Sequence, residues 1–288
     1  MPAAISHYLH ACKVKSNINY SNLDSDAFFW GAQGPDFFFC HRYLPWMKGN
    51  NYRDVGDQLH QADPNKLLSA MISLCEESEI QKSYFFGFVC HYIFDSNAHP
   101  YINRKSEILL ETHPLETLNT LHNEIESAID TILLRFETGE LPGDKKISYY
   151  TPLNERVMRE IADFWNKVFL QINWNEISSD KIYEAEMDTV KVFSLLTDKF
   201  GLKKQFISRL ERGRAKNISC HIRPLLESMD EDFANSEEIE WGENGENSDL
   251  FSIYETAISK ASVFVLALIK KEADADNISI YTENRKFG

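Results

Sequence analysis

The chain has 288 residues, 43% of them hydrophobic, enough to bury a large core within one domain. Its 30 Lys and Arg against 44 Asp and Glu leave a formal charge of −14, which repels a phosphate backbone and disfavours non-specific nucleic-acid binding. The start, MPAAISHYLHACKVK, lacks a signal-peptide pattern, no run reaches the roughly 18 to 20 consecutive apolar residues of a membrane span, and five cysteines without a CxxC pair disfavour a disulfide framework, so a cytoplasmic location is expected.

In chain order, residues 28–40 (FFWGAQGPDFFFC) read as an aromatic turn around Gly31 and Gly34. Residues 64–78 open with Pro64 and space Leu67, Leu68, Met71 and Ile72 for one buried helical face. Residues 82–98 are apolar nearly all round, as in a helix enclosed by others, and Pro100 is expected to end that helix near Ala98. A further helix over 114–137 keeps Leu118, Leu121, Ile125, Ile129 and Leu133 on one side, before Gly139 and Pro142 break the chain. Helical patterns follow over 152–173, 180–211 and 249–273, with an acidic loop at 231–248. The fold class is therefore all-α, a single helical domain over 1–275, with a tail over 276–288 expected to fray. No strongly basic amphipathic helix stands out in this reading.

The most chemical feature is His91-x3-Asp95-x3-His99 on the most hydrophobic helix. Four residues advance a helix by roughly 400°, so the three side chains share one stripe. Burying them without partners is costly; zinc ligation satisfies them, and so would a hydrogen-bonded core network or a helix end facing water. His122-x3-Glu126 repeats the spacing on the next helix, where a solvated surface pair is the competing reading. His7, Asp36 in the Gly34-Pro35-Asp36 turn, and His60 are isolated candidates, each equally readable as a cap or a satisfied core group. His10 reads as a neighbour of the cluster, and His41, His113 and His221 as solvent-facing or backbone-capping residues. Phe28, Phe29, Trp30, Phe37, Phe38 and Phe39 read as core more than as cleft wall.

Taken together, MPAAISHYLHA, WGAQGPDFFF, GDQLH, GFVCHYIFDSNAHPYI and HNEIESAIDTIL look like the successive motifs of the zinc-dependent phospholipase C family, which is related to the single-strand-specific zinc nucleases. The resemblance implies a multi-helix fold around a buried cluster of up to three zinc ions. It puts Asp36, His60, His91 and Asp95 on one ion. Asp95 bridges to a second ion, also held by His7 and by the N-terminal amine and carbonyl, here at Pro2 once Met1 is removed. His99, His122 and Glu126 take the third. Two departures stand out: three residues separate Asp95 from His99 where the secreted relatives have five, and the chain starts Met1-Pro2 where those relatives expose a tryptophan. Pro100 is expected to release His99 from helical geometry and so compensate the first. A fusion at the N-terminal end is expected to disturb the site, and one at the other end is not.

The activity implied is phospholipase C-like hydrolysis of a phosphodiester by a zinc-activated water, with Asp36 as a candidate general base. The substrate would be a phospholipid or a small soluble analogue, with transient membrane contact open. Two alternatives remain: a nuclease or nucleotide phosphatase using the same metals, and a non-catalytic helical protein stabilised by zinc.

Overall fold

The computed structural model describes residues 4–44, 46–76, 78–145, 149–174, 177–223, 239–241 and 246–287. Its elements are α1 (Ala4–Ile18), α2 (Ser25–Ala32), α3 (Phe37–Cys40), α4 (Arg53–Gln61), α5 (Pro64–Cys75), α6 (Glu79–Thr112), α7 (Leu118–Thr138), α8 (Glu155–Gln171), α9 (Ser179–Leu196) and α10 (Leu202–Leu210). A short 3₁₀ turn at Ser219–His221, an antiparallel strand pair (β1, Ile239–Trp241; β2, Glu246–Ser248), α11 (Leu250–Ile269) and α12 (Ser279–Thr282) complete the elements among the described residues. The all-α class holds.

Polar caps begin the helices where the sequence supplies them. Asp24, Asp63, Ser78, Asn154 and Asp249 each accept a backbone N–H of the first turn, and Thr117 and Thr120 cap α7 reciprocally. Helix α6 is the axis, with α1, α2, α5, α7, α8 and α11 packed around it. Helix α11 is long and apolar enough to cross a membrane by length and composition, but half of that window is buried against α6 and α1.

Several expectations need correction. The 28–40 segment is no single turn: α2 and α3 flank a tight turn at 33–36, and Gly31 lies within α2. There a Cβ on Gly31 would meet Tyr84 O at 2.0 Å, and one on Gly87 would meet Phe28 O at 1.9 Å, so α2 and α6 cross with their backbones in contact. Secondly, Pro100 sits inside α6, which runs on to Thr112. The missing N–H costs about 3 kcal/mol, but Tyr101, Ile102, Lys105 and Ser106 beyond it are buried, and that packing holds the helix. Thirdly, the 180–211 pattern is two helices: Gly201 takes φ +69°, Lys203 Nζ donates to Leu195 O and Thr197 O at the end of α9, and Asp198 accepts Lys204 N–H at 2.8 Å to start α10.

Of the aromatic run, Phe28, Trp30, Phe37 and Phe38 are core, with Phe37 and Phe38 meeting Trp165 and Phe38 also Phe169, while Phe39 lies half-buried on the cleft side against His60. The segment after Ala275, expected to fray, is docked instead. Tyr92 OH donates to Thr282 O and Arg285 O, Thr282 pairs with Asn65, and Phe287 is fully buried against Tyr92 and Phe88.

Candidate metal centre

The stripe on α6 is real: His91, Asp95 and His99 are all buried and follow one another along it. Four other elements complete the cluster. Helix α1 brings His7, whose Nε2 lies 3.1 Å from Asp95 Oδ1. The turn before α3 brings Asp36, and α4 brings His60, whose Nε2 lies 3.1 Å from Asp36 Oδ1 and 3.4 Å from Asp95 Oδ2. His91 Nε2 is 3.1 Å from Asp95 Oδ2. Helix α7 adds His122 and Glu126, with Glu126 Oε1 3.2 Å from His122 Nε2 and 3.6 Å from His99 Nε2. Three triads result, each with its donor atoms within 4.8 Å of one another: His7, His91 and Asp95; Asp36, His60 and His91; His99, His122 and Glu126. The two oxygens of Asp95 therefore face different histidines. His99 reaches α7 without leaving the helix, because α7 packs alongside α6. Pro2 lies outside the described residues.

The donor set fits zinc, which takes imidazole nitrogen and carboxylate oxygen. Three rings are already oriented for it: His60 Nδ1 contacts Gly56 O at 2.8 Å, His99 Nδ1 contacts Phe287 O at 2.8 Å, and His122 Nδ1 contacts Asn103 Oδ1 at 3.1 Å. A carbonyl can only accept, so Nδ1 of His60 and His99 carries the proton and Nε2 presents its lone pair to the cluster. Asp36 Oδ1 and His91 Nε2, both buried, lack an aligned hydrogen-bond partner. An ion between them would supply what they lack.

Charge in the cluster is strongly interdependent. Burial alone would raise the Asp95 carboxyl, but His91, His99, His7 and His60 hold it well below the usual range. Burial likewise opposes charge on His60, yet its contacts with Asp36 and Asp95 carry it well above the ordinary value. His99 rises to about 9 because Asp95 and Glu126 outweigh its burial. Metal loading must displace these protons.

Gly34 and Asp130 place the ligands. Gly34 takes φ +57°, and a Cβ there would fall 2.1 Å from the His91 ring, so the turn that delivers Asp36 needs glycine twice over. Asp130 lies on the His122 and Glu126 stripe of α7 and is fully buried. It accepts Ser6 N–H at 2.7 Å, Ser6 Oγ–H at 2.8 Å, Ile5 N–H at 3.3 Å and Arg223 Nε–H at 2.5 Å, fixing the first turn of α1 just before His7. Its spacing of four from Glu126 was the available signal.

The remaining histidines take other roles. His10 stacks on Phe94, and burial pushes it down to about 3, so it is neutral. His113 turns its Nδ1 to Leu109 O at the end of α6, and His221 is half-buried on the cleft wall. His41, with Glu184 and Asp188, forms a fourth group of possible ligands. Tyr52 N–H donates to His41 Nδ1 at 3.0 Å, which leaves the ring proton on Nε2, 3.8 Å from Glu184, and unfits that nitrogen for a metal.

Phe287 belongs to the site, although sequence reasoning left it in a tail. Its carbonyl sets the His99 tautomer and its ring lies 5.6 Å from His60 and 6.2 Å from His91. Deleting residues 287–288 is expected to weaken zinc binding by about 10- to 100-fold, the usual cost of losing such an orienting partner. Phe287→Ala, which keeps the carbonyl, should retain more affinity, read by chelator competition. Equal affinity in the deletion and the parent would remove this role. A fusion at this end is no longer expected to be harmless.

The zinc dependent phospholipase C family matches residues 1–179, more than half of the chain, and the chain belongs to that family. No curated protein and no solved structure matches it.

Proposed function

We propose that this member of the zinc-dependent phospholipase C family hydrolyses a phosphodiester, with up to three zinc ions held by His7, Asp36, His60, His91, Asp95, His99, His122 and Glu126, and with the amine of Pro2 as a further ligand. The observation that carries the reading is an open cleft of about 760 Å³ whose lining includes Asp36, His60, Asp95, His99, His122 and Glu126. A purely structural metal site closes its ligands away from water; this one faces a substrate-sized space.

Zinc, when bound, supplies positive charge for the phosphoryl oxygens and lowers the pKa of water toward neutrality. The protein's own groups do the rest. Asp36 lines the cleft, and the oxygen it does not give to the ion is the candidate to take a proton from the attacking water. Arg53, its guanidinium 5.8 Å from the Tyr43 ring centroid, offers the diester a fixed charge at the wall. Asn103, Asn119 and Asn123 give the head group neutral hydrogen-bonding partners.

The nuclease reading fares worse on the same lining. Holding successive phosphates takes a row of Lys and Arg, whereas Arg53 shares this cleft with Asp57 and Glu107. The expected result is zinc-dependent turnover of a small choline or nitrophenyl phosphodiester, exceeding cleavage of single-stranded DNA at equal metal loading. Cleavage of DNA alone would reverse the choice. Zinc binding without either activity would favour the structural role.

A further inference from the structure

Helix α10 is built inside out. Its one buried residue is Lys204, whose Nζ donates to Ser219 O at 3.2 Å and Ile222 O at 2.6 Å and pairs with Glu124 of α7 at 2.8 Å. That staple turns the opposite face outward. Leu202, Phe206 and Leu210, spaced by four, are 64%, 62% and 68% exposed, and Phe200 just before them is 72% exposed. Exposing four large apolar side chains in one short segment is costly unless something covers them.

The charge around the stripe says what. Residues 199–216 hold Lys199, Lys203, Lys204, Arg209, Arg212, Arg214 and Lys216 against Glu211 alone; Lys204 is paired with Glu124 and Lys216 with Glu116, which leaves five cations against one acid, a local +4 on a chain of −14. Arg209, Arg212 and Arg214 are exposed and pair with no acidic side chain among the described residues. An exposed apolar stripe ringed by unpaired cations matches an anionic lipid surface, which takes Phe and Leu into its acyl boundary and Arg at its headgroups. A second copy of the chain fits less well, since self-pairing would set two +4 faces together.

We infer that residues 199–216 are a docking face for an anionic membrane. The helix that carries the face is fastened on its other side to the cleft wall, since Lys204 holds α10 to the 219–222 segment and His221 of that segment lines the cleft. This rests on the phospholipase C-like reading, for which it supplies a route to lipid substrate.

The test is cosedimentation of the full zinc-loaded chain with vesicles of phosphatidylcholine alone or with 30% phosphatidylserine. The parent is expected to bind the anionic vesicles more tightly, and less so as salt rises. Arg209→Ser with Arg212→Ser and Arg214→Ser should weaken binding on the order of a hundredfold, at roughly fivefold per lost cation. Leu202→Ser with Phe206→Ser should weaken it independently. Both variants should keep parent activity on a soluble nitrophenyl phosphodiester. No vesicle binding by the parent, or equal binding by parent and variants, overturns the docking face and leaves the hydrolase standing. A concentration-dependent dimer that Leu202→Ser with Phe206→Ser dissolves assigns the face to a second copy and also overturns it. Failure on the soluble diester, with vesicle binding intact, counts against the hydrolase reading instead.

Discussion

Asp95→Asn is expected to lose more zinc than any other single replacement in the cluster, and activity with it. Its two carboxylate oxygens face His7 on one side and His60 and His91 on the other, so an ion on either side depends on it. Asparagine keeps the shape and one acceptor but removes the charge that balances the His7, His60 and His91 imidazoles. Metal charge contributes several kcal/mol to stabilising a phosphoryl transition state, and each 1.36 kcal/mol is tenfold in rate. Losing it should therefore lower kcat/KM on the order of 10³-fold or more. Glu126→Gln is the comparison, since among the described residues Glu126 pairs with His99 and His122 alone. Elemental analysis of both variants beside the parent decides. Equal zinc loss would remove the bridging role of Asp95, and parent-level zinc in Asp95→Asn would remove the cluster as proposed.

Gly87→Ala is expected to cost the most stability of any conservative change in the fold. The added methyl would fall 1.9 Å from Phe28 O and 2.9 Å from Ala32 N, both backbone atoms of α2, and backbone cannot rotate away as a side chain can. Helices α2 and α6 would have to separate along their whole contact. Overpacking a well-filled core typically costs about 1–3 kcal/mol, and a backbone clash belongs at or above the top of that range. Because α2 leads directly into the Gly34-Pro35-Asp36 turn, the same shift should move Asp36 away from His60 and His91. Chemical denaturation of the metal-free and zinc-loaded proteins separates the two effects. A metal-free variant within about 0.5 kcal/mol of the parent, the usual scale of a surface change, would show that the crossing is looser than described.

Much of this was readable in the one-dimensional chain. The His91, Asp95 and His99 stripe follows from helical periodicity alone, as does the pairing of His122 with Glu126. The order of the motifs pointed to the family that the match over 1–179 establishes. Local rules failed where tertiary burial outweighed them. Pro100 carries a helix-ending preference, but the enclosed residues after it hold α6 together through to Thr112. The Asp198 and Gly201 signals between α9 and α10 were present and were overridden by a continuous apolar pattern.

Sequence by itself determined which side chains could ligate a metal and which of them share a helix, because spacing along one helix is fixed by backbone hydrogen bonding. The family resemblance implied that Asp36, His60 and His91 converge, as they do; only the tertiary structure decided that Asp130 fixes the start of α1 and that Phe287 turns His99. Those contacts join residues up to 188 positions apart, and they exist because the helices crossing at Gly31 and Gly87 and packing around α6 bring their faces together. Periodicity records the face a helix buries; what meets that face is set by how the whole core closes.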